Sequence, residues 1–101
     1  MTRVKFATIS ELDKYAIALL REAAKTKIQI VITKRGKPVG LLRKVMKGDR
    51  GRIEALSNFV NKVNKLLASI EKGGSQIIIT RHKKPFVLLK GISSKAFSIK
   101  E

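Results

Sequence analysis

The chain has no cysteine and no tryptophan. Without thiols neither a disulfide framework nor a thiolate metal site is open to it, and an intracellular address follows by default. No apolar run approaches the roughly eighteen residues of a membrane span, and the opening Met1-Thr2-Arg3-Val4-Lys5-Phe6 lacks the apolar stretch of a signal peptide. The expected location is the cytoplasm, in association with the nucleoid if the partner is DNA. Acids are scarce too. The 7 carboxylates (Glu11, Asp13, Glu22, Asp49, Glu54, Glu71 and Glu101) are scattered and offer no matched pair for general acid and base work. His82 is the single histidine, whereas a metal site needs several ligands. Gly48, Gly51 and the pair Gly73-Gly74 do not compose a phosphate-binding loop. The sequence therefore reads as non-enzymatic, with no cofactor and no metal.

Against these absences stands an excess of positive charge: 23 Lys and Arg give a net charge of +16 over 101 residues. Self-repulsion on that scale opposes a compact state, so the surface is expected to meet a polyanion. A Lys coat for solubility is the plainer reading, but it normally brings Glu with it, and Glu does not keep pace here. Aromatic residues help choose the polyanion. Phe6, Tyr15, Phe59 and Phe86 fall on expected core positions and leave Phe97 as the remaining candidate for stacking. Single-strand readers depend on exposed aromatics, so duplex DNA is favoured over RNA.

The chain also repeats itself. Residues 3–45 align without a gap on 50–92 at a constant separation of 47 positions: Arg3 on Arg50, Ser10 on Ser57, Leu19-Leu20 on Leu66-Leu67, Thr33 on Thr80, and Leu41-Leu42 on Leu88-Leu89. One unit of that size buries too little apolar surface to offset its chain entropy, which implies that the two units share a core. The expected organisation is repeat 1 over 1–45, a linker over 46–52, repeat 2 over 53–92 and a short tail over 93–101. The fold class is α+β, as two tandem strand-helix-β-hairpin repeats packed into an intramolecular pseudo-dimer.

Within each unit the periods change in order. Arg3 to Ala7 alternates and suits a strand with Val4 and Phe6 inward. Thr8 or Ser10 can cap the helix that follows, whose stripe is Leu12, Tyr15, Ala16, Leu19, Leu20 and Ala23. In the second unit Gly51 stands in the place of Val4, so the opening strand is expected to be weakened or lost. Ser57 is the expected cap, the stripe is Phe59, Val63, Leu66, Leu67 and Ile70, and Gly73-Gly74 stops the helix. Hairpins follow over 28–43 and 75–90, each with a basic tip and with Pro38 or Pro85 where no ladder donor is needed. Gly36 accepts a positive φ freely, whereas Lys83 at the matching place would cost about 1–2 kcal/mol. The second turn is therefore expected to be shaped differently.

The runs IVITKRGKPVGLL and IIITRHKKPFVLL, each after an amphipathic helix, resemble the prevent-host-death antitoxin family, the Phd and YefM group. The resemblance covers nearly the whole of each unit. It implies a DNA-binding fold in which two copies pair through sheet and helices, here fused into one chain, and it implies an antitoxin-like transcriptional regulator. Two departures are visible. Family members often carry an arginine near the start of the first helix, where this chain has Ser10 and Ser57, and they extend into a long toxin-wrapping segment, where about ten residues follow the second unit here.

From the residues themselves, the nucleic-acid-binding candidates are the tips, Lys34, Arg35 and Lys37 with Arg81, His82, Lys83 and Lys84. The linker group, Arg43, Lys44, Lys47, Arg50 and Arg52, comes second. Arg35 and Arg81 are the candidates for base edges, because a guanidinium pairs bidentately with guanine. Helix-face Lys14, Arg21, Lys25, Lys62, Lys65 and Lys72 rank third. A sequence-neutral chromatin-like protein, a toxin-binding antitoxin and further homodimerisation stay open.

Overall fold

The computed structural model describes residues 3–71 and 76–92. Its elements run β1 (Val4–Thr8), α1 (Ile9–Lys14), α2 (Ala16–Lys25), β2 (Gln29–Lys34), β3 (Lys37–Lys44), β4 (Arg52–Ala55), α3 (Leu56–Asn61), α4 (Val63–Glu71), β5 (Gln76–Arg81) and β6 (Lys84–Gly91). This is a mixed α+β fold with one six-stranded sheet and, among the described residues, four helices. None of these helices is long and apolar enough to cross a membrane. Lys72, Gly73-Gly74 and the tail 93–101, with Phe97, lie outside the described residues.

Local chemistry explains where the helices start. The Thr8 hydroxyl accepts from the Glu11 N–H at 3.0 Å and the Glu11 carboxylate accepts from the Thr8 N–H at 2.8 Å, closing a capping box. Thr8, not Ser10, is therefore the cap. At the matching place α3 has Ala55, with no side-chain bond, and Ser57 falls inside the first turn instead of capping it. Each expected single helix is also bent in two, at Tyr15 (φ −120°, ψ 36°) and at Lys62 (φ −132°, ψ 32°). Backbone bonds continue across both bends, from the Leu19 N–H to the Tyr15 carbonyl and from the Leu66 N–H to the Lys62 carbonyl.

The strand order is β1-β2-β3-β6-β5-β4, with β1 parallel to β2, β4 parallel to β5, and every other neighbouring pair antiparallel. Matching irregularities occur in both hairpins. Ile32 pairs with Gly40 but Thr33 with Pro38, leaving Val39 as an extra residue, and Ile79 pairs with Val87 but Thr80 with Pro85, leaving Phe86. All four helices cover one face of the sheet. There Leu12, Leu20, Phe59, Leu67 and Ile70 meet Ile30, Ile32, Leu42, Ile77, Ile79 and Leu89 in one core. Val31, Ile78 and Leu88 are buried too but alternate with those residues, so they point to the opposite face.

Two expectations fail here and a third holds only in part. Val4 and Phe6 are not inward, and Phe6 is 57% exposed. Pairing with β2 sets Ala7 beside Ile32, under the helices, and Phe6 beside Val31, on the helix-free face. Tyr15 interrupts its stripe and is 52% exposed, because it occupies the bend. The opening strand of the second half is not lost: it is present as β4, one residue shorter than β1 because Gly51, at the place of Val4, falls before it, and it takes Arg52 out of the linker and into the sheet. Gly51 is what permits that pairing. A Cβ there would lie 2.6 Å from the Gln76 carbonyl oxygen, and the Gln76 amide donates to the Arg50 carbonyl.

Candidate nucleic-acid interface

Both hairpins close through two residues, Arg35-Gly36 between the paired Lys34 and Lys37, and His82-Lys83 between the paired Arg81 and Lys84. Two-residue connections match strand twist only when positive φ is available, as in type I′ turns. The first turn has φ 53° and 79°, and the second has 53° and 65°. The expected difference in shape is therefore absent: Lys83 takes the left-handed conformation because the flanking register demands it. Lys34, Arg35, Lys37, His82, Lys83 and Lys84 are exposed. Arg81 is half-buried, with its guanidinium 5.6 Å from the Phe86 ring centre. The two base-edge candidates are thus not equivalent, since Arg35 occupies a turn position and Arg81 a stacked strand end.

Strand direction fixes where the tips lie. β3 leaves the first tip and ends with Lys44 beside Val87, close to the second tip. β6 leaves the second tip and ends with Gly91 beside Gly40, close to the first. The tips therefore occupy opposite ends of the sheet. The linker candidates divide between these ends. Lys44 and Lys47 fall at the second-tip end, where β3 finishes, while Arg50 and Arg52 fall at the first-tip end, where Arg52 pairs with Ile77. Lys90, not singled out from the sequence, joins the first-tip end; its signal was its alignment on Arg43, 47 positions earlier.

Two of the linker cations are already engaged. Arg43 donates through both terminal nitrogens to the Asp49 carboxylate, at 3.0 Å each, in a half-buried setting. Asp49 also accepts from the Met46 N–H at 2.7 Å. The Arg43 hydrogen bonds foremost, then that backbone donor, hold the Asp49 carboxyl below its ordinary value of 3.8. Since Arg43 neighbours core-facing Leu42, the bridge lies on the helix-free face, and it ties down residues 45–51 as they run from one end of the sheet to the other. Arg52 is exposed and pairs with Glu54 at 3.0 Å. Lys44, Lys47 and Arg50 remain exposed.

Phe6 and Tyr15 are exposed, not buried in the core, so burial does not withhold them from stacking on single-stranded nucleic acid. The two rings stand on different layers, one on the helix-free face and one among the helices, so they do not form one stacking platform. Among the described residues no group of three or more His, Asp or Glu is placed to hold a metal. No protein-family model matches this chain, and neither a curated protein nor a solved structure is significantly similar to it.

Proposed function

We propose that the chain is a duplex DNA-binding protein, a tandem duplication folded as an intramolecular pseudo-dimer, acting as a small antitoxin-like transcriptional regulator of the prevent-host-death type. The observation that carries this reading is the pair of like-shaped basic tips at opposite ends of one sheet. The β3–β6 register supports the pseudo-twofold: Lys44 pairs with Val87 as Gly91 pairs with Gly40, and Arg43 with Leu88 as Lys90 with Leu41, each a shift of 47 positions. Along β2 and β5, which carry no extra residue, the tips Arg35 and His82 lie five positions from Ile30 and Ile77 in the Leu42–Leu89 row, roughly 17 Å at about 3.3 Å per residue. The tips are then roughly 35 Å apart, close to the 34–36 Å of one duplex turn, and the molecule's longest extent is 40 Å. Basic groups at that separation can meet one face of a duplex at successive grooves. Deep, narrow A-form grooves do not admit such tips.

A sequence-neutral, chromatin-like role is favoured by one observation: with Arg81 stacked on Phe86 and Arg43 bound to Asp49, Arg35 is the one tip guanidinium at a turn position. A salt titration on a random duplex and on the duplex upstream of the chain's own gene separates the readings. A preference of about a thousandfold for the upstream duplex marks a regulator. Equal affinities, with a slope for about 6–10 phosphates, mark the chromatin-like role. Binding to neither refutes both and leaves the toxin-binding alternative.

A further inference from the structure

A groove at the second-tip end joins two of the DNA-candidate lysines, Lys44 and Lys47, to an apolar lining that the DNA reading does not use. It encloses about 520 Å³ between the α2–β2 connection and the residues that follow β3. Its apolar lining is Ile28, Val45 and Met46, and its cations are Lys27 from the first segment and Arg43, Lys44 and Lys47 from the second, Arg43 being already bound to Asp49. That volume lies within the 300–1,000 Å³ or so of ordinary ligand sites. Met46 is 61% exposed, although its backbone is fixed by bonds to Asp49 in both directions. The second segment is thus held in place by the Arg43–Asp49 bridge while an apolar side chain stays open to solvent. Lys27, Lys44 and Lys47 are exposed and form no ion pair among the described residues.

These features select the occupant by charge and shape. A duplex phosphate would use the lysines but has no use for the apolar lining. A single-headed anion would leave one segment unanswered, because both segments supply cations. What complements the groove is a linear peptide segment with one large apolar residue flanked on each side by Asp or Glu. The apolar anchor covers Ile28, Val45 and Met46, and the carboxylates meet the lysines. We propose that this groove is a docking site for such an acidic segment of a partner protein. The proposal rests on the groove alone and does not depend on the DNA reading.

The test follows Met46, one of 2 methionines in the chain, so a methyl-labelled sample of the full protein gives it a resolvable signal beside that of Met1. The probes are three capped peptides, Glu-Asp-Phe-Asp-Glu, the same with Ser for Phe, and Lys-Lys-Phe-Lys-Lys. A saturable shift of the Met46 methyl is expected with the first peptide, and binding about tenfold or more weaker with the other two. Replacing Lys44 and Lys47 together by Gln should weaken the first peptide about tenfold, while Lys14→Gln on the helix layer leaves it unchanged. Equal binding of the Ser peptide would reduce the effect to charge alone, and equal binding of the Lys peptide to apolar adsorption. Either result, or a Met46 shift caused by a short DNA duplex and by no peptide, overturns the proposal.

Discussion

Leu42 of β3 lies directly opposite Leu89 of β6, both fully buried, and the two are 47 positions apart, so exchanging the halves leaves this pair in place. Each leucine sits at the same depth under the helices. Leu42→Ala and Leu89→Ala should therefore cost similar amounts, about 2–5 kcal/mol each, from lost transfer energy and the cavity left behind. The double variant should depart from additivity, because the two side chains line one site. Urea unfolding at fixed salt measures all three. A large cost at one leucine and almost none at the other would mean that the halves do not share the core equally.

The helix starts offer a matched comparison. Thr8→Ala removes the capping box of α1 and should lower stability by about 1 kcal/mol. Ala55→Thr supplies the missing hydroxyl at α3 and should raise it by up to about 1 kcal/mol, with the exposed position leaving room for the added group. Thermal unfolding reads both. Identical melting of Ala55→Thr and wild type would show that the α3 start cannot accept a side-chain cap.

The turns should respond with opposite signs. Lys83 at φ 65° is a left-handed non-glycine, and Lys83→Gly should stabilise by about 1 kcal/mol. Gly36, at φ 79° in open space, meets no clash on gaining a Cβ, so Gly36→Ala should lose about 1 kcal/mol through conformation alone. If neither variant changes the urea midpoint, the hairpin tips contribute nothing to stability.

Asp49 gives the pH dependence. Its folded value lies below the unfolded one near 3.8, so its stabilisation is complete above that unfolded value and is lost as pH falls through the lower folded value. Wild type should exceed Asp49→Asn in stability by a constant margin at neutral pH, and the margin should shrink below about pH 4. A margin that instead grew on acidification would contradict the assigned direction. Added salt should narrow it as well.

Much of the fold was legible because apolar periods carry it. The stripes Leu12 to Ala23 and Phe59 to Ile70 and both hairpins lie where the 3.6- and 2-residue periods put them. Strand phase was not legible. An alternating edge strand such as Arg3 to Ala7 says which residues share a face but not which face the helices take, and Phe6, which alternation alone suits to the inner face, lies outward. The glycine at 51 suggested a weakened or lost strand; the strand is one residue shorter than β1 but present, and the glycine relieves a close approach to Gln76 that no local pattern announces. The candidate residues at the tips could be read from composition and spacing. Their division between two ends, the engagement of Arg43 by Asp49 and the stacking of Arg81 depend on strand direction and on long-range contacts, which a single sequence does not display.

The most direct measurement is the salt dependence of duplex binding for three variants alongside wild type. One is Arg35→Ala with Lys37→Ala, the second is Lys83→Gly with Lys84→Ala, and the third combines all four. Each pair should reduce the slope of log K against log salt by about 2, and the combination by about 4, because each tip removes two phosphate contacts. A slope and affinity unchanged in the combined variant, with its fold intact by circular dichroism, would contradict DNA binding through the two tips.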